Sequence, residues 1–278
     1  MESRQVKASA LQRDCGSRKK GRRRPFHGTR LLILSTVGAQ AQPSRSSPKN
    51  GTLFGINMQL INAPDDNAFP AIETAIQLER IKRYLPAAGM DSKKAFKYYL
   101  WNCALCESFV FSLHFSEIVC RNTLHKGLLN RCGESWYNDK TFRIILDEKY
   151  LNELNEAYSK ELKQHGDNTT ANHICSALPF AFWEHLTTKR FERFLWSKGI
   201  RNIFPCAPKE MTLLDLHDLI ESVRRWRNRI AHHQAIFDKS PTKKHQDTLR
   251  LISIACDTTH SWVASGSRVP IALGLRPQ

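Results

Sequence analysis

From Phe69 to Val263 apolar residues recur at intervals of three and four, and no stretch alternates apolar and polar at every second position. The first spacing lines up side chains along one face of a helix; the second would line one face of a strand. A chain patterned this way builds its core by packing helices on helices, so the expected class is all-α. The longest instance runs through Phe96, Leu100, Cys103, Val110, Leu113, Cys120, Leu124 and Leu128, capped by Asp91 or Ser92 and ending near Arg131 to Gly133. A helix of that length with one apolar side is the element around which the others must pack, with room for a kink midway.

Before it, Pro70 leads a first helix through Ile72, Ile76, Leu78, Ile81 and Leu85, closed by Pro86 and Gly89. After a loop bearing Trp136 and Tyr137, the pattern predicts helices over 139–147 and 148–164. A further segment, 171–197, is broken or restarted by Pro179. Thr212 caps a helix over 213–233, and Thr242 to Val263 reads as a last amphipathic helix. The helical domain is therefore expected at 69–263, with 264–278 as a C-terminal tail.

The first 57 residues are rich in Arg, Ser, Gly and Pro without a sustained period, the composition of a segment that cannot offset its ordering entropy. They are expected to form a disordered basic extension. They hold twelve Lys and Arg up to residue 50 against Glu2 and Asp14, so that stretch carries +10 of the net +16, and the rest of the chain carries +6. That smaller excess suits contact with a few phosphates. Leu31 to Leu34 followed by Ala39-Gln40-Ala41 also admits a secretory signal, and Met58 admits a later start. The cysteines lack the short turn-borne spacings of a disulfide scaffold, and Cys103-x-x-Cys106 falls inside a helical apolar run, where core packing is its expected role. A reducing, cytoplasmic setting follows. No apolar run reads as long enough to span a bilayer.

The chemistry concentrates in the helix 213–233. Its apolar stripe, Leu216, Leu219, Ile220, Val223, Trp226 and Ile230, places the next core-facing slot at Arg227. A guanidinium turned inward demands a carboxylate or an anionic ligand, because an unpaired buried charge costs several kcal/mol. Arg224, Asn228 and His232 stand at i, i+4 and i+8 and form one row suited to phosphate. Imidazole exchanges a proton near neutrality, so His232 can take the 2′-hydroxyl proton of RNA while an arginine stabilises charge on phosphorus, a route that needs no metal and no cofactor. The alternative for His232 and His233 is a helix end where imidazoles meet free carbonyls, and for Arg225 and its neighbours a solvated basic face. On the long helix, Glu117 stands where Leu would be expected, with Arg121 and His125 one and two turns on and Asn122 beside them. That row either forms an internal salt bridge or orients the active site.

The string Arg225 to His233 resembles the Arg-Asn-x-x-x-His signature of HEPN-type domains. The ordered set Glu117 to His125, Trp136-Tyr137, Leu178 to Trp183, Leu195-Trp196 and Ile236-Phe237 is similar to Abi-like proteins of the AbiD/AbiF abortive-infection type. The resemblance covers roughly 69–263. It implies a HEPN-like helical bundle and a metal-independent bacterial endoribonuclease of phage-defence or toxin type. Such proteins work as homodimers, in some systems restrained by an RNA or protein antitoxin. By position it makes Arg227 and His232 catalytic and Asn228, Glu117, Arg121 and Asn122 supporting, with Arg224, Arg225, His125 and His233 as RNA contacts.

Overall fold

A computed structural model describes residues 62–278. The basic extension, the signal-like Leu31 to Ala41 stretch and Met58 lie outside the described residues. Among the described residues the secondary structure is entirely helical, and the class is all-α. The α-helices are α1 (Phe69–Ile76), α2 (Leu78–Lys82), α3 (Ser92–Cys132), α4 (Lys140–Ile145), α5 (Glu148–His165), α6 (Ala171–Ala177), α7 (Phe180–His185), α8 (Leu213–Ala231), α9 (Pro241–Ala255), α10 (Asp257–Gly266) and α11 (Val269–Gly274).

Helix α3 is the spine. Asp91 caps it by accepting from Lys94 N at 2.9 Å, and it continues without interruption for 41 residues. It packs against α7, α8, α9, α10 and α11. Its core face differs from the expected stripe, because Cys103 and Val110 are exposed while Ser108, Ser112 and Ser116 are buried. Each of these serines donates to the carbonyl three residues back, at 2.7, 3.2 and 2.9 Å. A hydroxyl satisfied by its own helix can be buried without a tertiary partner, so polar residues here read as solvent-facing in a sequence yet face the core. By length and composition α3 is apolar enough to cross a bilayer, contrary to the expectation that no segment is. Much of its apolar surface is nevertheless spent on the domain's interior, through Trp101, Leu105, Phe109, Leu113, Leu124 and Leu128.

Three expected elements divide. The first helix breaks at Gln77, whose φ is 65°, so Leu78 begins a second short helix that buries Ile81. Pro179 caps α7 rather than continuing α6, and beyond His185 the chain proceeds in short 3₁₀ turns at Lys189–Phe191 and Ile200–Asn202. The last helix splits at Cys256, which is extended, and α10 starts at Asp257. Residues past 263 are not a tail: α11 buries Val269 and Ala272, and Trp101 Nε1 donates to Ala272 O at 2.7 Å.

An aromatic cluster forms the other half of the core. Trp136 packs edge-on against Trp183 and Phe142, and Phe142 stacks on Phe194. At Gly127 a Cβ would lie 3.0 Å from the Ile203 side chain, so glycine lets Ile203 pack closely on α3 and a larger residue would have to displace it.

Candidate functional site

Helix α8 is pinned at its start by a reciprocal cap: Asp215 N donates to Thr212 Oγ1 at 3.1 Å, and Thr212 N donates to Asp215 Oδ2 at 2.9 Å. Burial of Leu216, Leu219, Ile220, Val223 and Trp226 then sets its roll about its axis. With the roll set, its cations fall on two flanks.

The first flank faces carboxylates. Arg227 donates from Nε to Glu117 Oε2 at 3.0 Å and from Nη2 to Glu117 Oε1 at 3.3 Å, a two-pronged pair across α3 and α8. The expected inward guanidinium thus has its carboxylate, but its side chain keeps 43% of its surface exposed, so the slot is a half-open flank rather than core. Trp226 takes the core position beside it. One turn earlier, Arg224 makes a second two-pronged pair with Glu184 of α7, with Nη2 3.1 Å from Oε1 and Nε on Oε2. This pair is more deeply placed, with Arg224 22% and Glu184 11% exposed, and the Glu184 hydrogen bond holds the guanidinium pKa above its ordinary value. Cys120, fully buried, sits near both carboxylates. Burial pushes its thiol pKa well up, with Glu117 and Glu184 adding to the rise.

The second flank, Ser222, Arg225, Arg229 and His232, faces an open cleft of about 620 Å³ closed on the other side by Gln234, Asp238, Lys239, Ser240 and Lys244. His232 caps the end of α8, its amide donating to Asn228 O at 2.9 Å, and its side chain is exposed. Asn228 joins the flanks: it lines the cleft, and its Oδ1 accepts from Arg227 Nη1 at 3.2 Å. The loop after α8 is tied down by buried Asn102, whose Oδ1 accepts from Ile236 N at 2.8 Å and Phe237 N at 3.2 Å. Arg229 Nη2 donates to Ala235 O in the same loop at 3.0 Å.

The expected Arg224, Asn228, His232 row is therefore not one surface. Asn228 and His232 share the cleft, whereas Arg224 is committed to Glu184 and is not free to meet RNA. His233, expected as an RNA contact, turns away from the cleft: its φ of 54° redirects the chain and Arg80 Nη1 donates to its carbonyl at 3.2 Å. It lines a separate small hollow with Arg80, Arg83, Tyr84 and Tyr99, which resolves which imidazole stands beside Asn228.

On α3, Glu117 pairs with Arg227 rather than with Arg121, and Arg121 Nε donates to Asn122 Oδ1 at 3.3 Å. His125, expected as an RNA contact, is 5% exposed and wedged against Trp136 and Trp183, where burial lowers its pKa. Its place two turns past Glu117 suggested a polar row, but α3 rotates it into the aromatic cluster. Glu184 escaped the sequence reading, although a carboxylate directly after Phe180-Ala181-Phe182-Trp183 is the same kind of signal as Glu117. Lys239 and Lys244 escaped it because only folding brings them opposite α8. Among the described residues no group of three or more His, Cys, Asp and Glu side chains is placed to hold a metal ion.

Compared with known proteins, this chain matches no family model, no curated protein and no solved structure.

Proposed function

We propose that the chain is an endoribonuclease of the Abi-like, HEPN-type kind, cutting RNA by attack of its own 2′-hydroxyl. The observation that carries this reading is the polar line Glu117, Arg227, Asn228, ending at a cleft where His232 is exposed. In this reading His232 accepts the 2′-hydroxyl proton. The 2′-oxygen then bonds to phosphorus, the bond to the 5′-oxygen breaks, and that oxygen takes up a proton from solvent. The products are a 2′,3′-cyclic phosphate and a 5′-hydroxyl. Arg227, held by Glu117, and Asn228 supply positive charge and hydrogen-bond donation to the phosphoryl oxygens as charge develops. Glu117 is a positioning residue here, and Arg121 and Asn122 extend the same polar edge of α3.

The reading carries a cytoplasmic setting, a role in phage defence, restraint by an RNA or protein antitoxin, and a homodimer. For the homodimer there is a supporting surface: Phe111, Phe115 and Trp262 pack edge to edge on α3 and α10, with Trp262 56% exposed and Val110 beside them also 56% exposed. An exposed aromatic face of this kind favours a second copy over solvent.

The test is incubation of the purified protein with single-stranded RNA in EDTA. The expected result is fragments ending in cyclic phosphate, lost in His232→Ala while that variant stays folded. Cleavage of equal rate by the variant overturns the proposal. A second reading, an RNA-binding module that does not cut, is favoured by one observation: both prongs of Arg227 already rest on Glu117. It predicts retained RNA binding in His232→Ala, and no product from either protein.

A further inference from the structure

Residues 187–212, between α7 and α8, hold six Lys and Arg against Glu192 and Glu210. That stretch alone carries +4 of the +6 found beyond residue 50. Of its six cations only Arg190 meets a carboxylate among the described residues, Asp147 at 2.6 Å. The way the stretch folds explains this. Gly199, with φ 82°, lets the chain reverse into the 3₁₀ turn Ile200–Asn202. Ile203 and Phe204 are buried, Ile203 packs closely on Gly127 of α3, and Cys206 N donates to Ile254 O at 3.0 Å. With the apolar side chains used as anchors, Lys198, Arg201, Asn202 and Lys209 are left exposed on a ridge of fixed backbone.

A hollow lies on each side of this ridge. The first, about 430 Å³, is lined by Lys198, Arg201, Lys209 and Glu192, with the nearly buried Trp196 and Met211 as an apolar floor. The second, about 310 Å³, is lined by Thr123, Lys126 and Asn130 of α3 and by Asn202, and no carboxylate is in its lining. Arg201 and Asn202 are consecutive and line different hollows, so the two are joined across a single turn. Lys126, Lys198, Arg201 and Lys209 are exposed, and none pairs with a carboxylate among the described residues. In the α8/α9 cleft, by contrast, Arg225 leans on Glu221 at 2.8 Å and Lys244 on Asp247 at 3.8 Å. The largest share of uncommitted positive charge therefore stands on this ridge.

We infer that the ridge and its two hollows are a docking track for single-stranded RNA, sharing no lining residue with the α8/α9 cleft. Four unpaired cations spread over two adjoining hollows match a chain of phosphates, whereas one small anion would occupy one hollow and leave the other unexplained. The rest of the lining matches unpaired bases. An apolar floor accepts a base face, and the carboxamides of Asn130 and Asn202, each both donor and acceptor, address base edges. An acidic protein surface would meet the cations but leave the recessed floor and the carboxamides unused. That the docked strand is also the one cut rests on the nuclease reading above; the docking track itself does not.

The experiment measures fluorescence anisotropy of a labelled single strand of about twelve 2′-O-methyl ribonucleotides, which has no free 2′-hydroxyl to attack, with the full chain over a range of salt. Two triple variants are compared with the unaltered chain. Lys198→Gln, Arg201→Gln and Lys209→Gln together empty the first hollow of charge; Lys97→Gln, Lys160→Gln and Lys163→Gln remove as much charge from exposed positions outside both hollows. The first triple is expected to weaken binding at least about ten-fold and to flatten the salt dependence by about two units of slope, as three phosphate contacts on a single strand require. The second is expected to weaken it less than about three-fold. Equal weakening by both, or an unchanged slope in the first, overturns the track. Poly-L-glutamate is the competitor for the other class of partner: displacement of the strand at equal charge concentration overturns the assignment to RNA, and failure to displace it supports that assignment. Binding that depends on the first triple in a protein that never cuts RNA leaves the track standing and sinks the nuclease reading. Cleavage whose KM is unmoved by that triple sinks the track alone.

Discussion

The two flanks of α8 carry the same kind of side chain and do different work. On the α3/α7 side, Arg224 and Arg227 each meet a carboxylate with two prongs. On the α9 side, Arg225, Arg229 and His232 line an open cleft together with Lys239 and Lys244. The difference comes from other helices. Glu117 on α3 and Glu184 on α7, far from α8 in the chain, choose which arginines are clamped and leave Arg225 turned to the cleft. A basic helix is therefore not one basic surface, and the charge available to a polyanion is set by where the acidic residues fall.

If the first flank is structural, breaking its deeper pair should cost most. Glu184→Ala strands Arg224 and is expected to lower unfolding free energy by about 3 kcal/mol, read from urea denaturation. An unchanged midpoint would place Arg224 among the free cations instead. His185, next to Glu184, stacks on Tyr150 at 4.0 Å and has its pKa pushed down to about 4, chiefly by burial, with Asp147 opposing and Arg190, His217 and Lys149 assisting. The folded value lies below the ordinary 6.5, so the unfolded chain takes the proton first. Stability from this group is complete above about pH 6.5 and drains away as the pH falls toward 4, by about 2 kcal/mol at pH 5. His185→Phe, which keeps a ring over Tyr150, should flatten that part of the stability profile.

Glu117→Gln sharpens the comparison, because Arg227 is half exposed. Stability is expected to fall by only about 1 kcal/mol, while RNA cleavage drops about ten-fold as the guanidinium loses its clamp, a loss worth about 1.4 kcal/mol. A variant that loses stability but keeps its cleavage rate would make Glu117 purely a strut. The smallest expected effect is at Arg225, whose side chain is 70% exposed. Arg225→Ala should leave stability within about 0.5 kcal/mol and reduce the salt dependence of RNA binding by about one unit of slope.

Much of this was legible in the residues. The three-and-four spacing gives the helical class, α3 and α8 with nearly their observed bounds, and the need of Arg227 for a carboxylate. Glu117, out of place on an apolar stripe, is its partner. The flank assignment was not legible, since Arg224 and Arg225 are equivalent until α7 and α9 are placed. The burial of His125 depends on how α3 turns into the tryptophan cluster, and self-satisfied serines hide that turn from any hydropathy pattern. The break at Cys256 and the docking of α11 depend on tertiary contacts, such as Trp101 with Ala272 O, that local spacing does not encode.

The division of labour across α8 is tested most directly by single-turnover cleavage of one single-stranded RNA in EDTA by three proteins. These are the unaltered chain, His232→Ala, and the paired replacement Glu184→Gln with Arg224→Gln, which removes the deeper strut without stranding either charge. The account predicts at least a hundred-fold loss of rate in His232→Ala and a rate within about three-fold of the unaltered chain for the paired replacement. The reverse pattern, with cleavage surviving the loss of His232 and vanishing with Arg224, would contradict it.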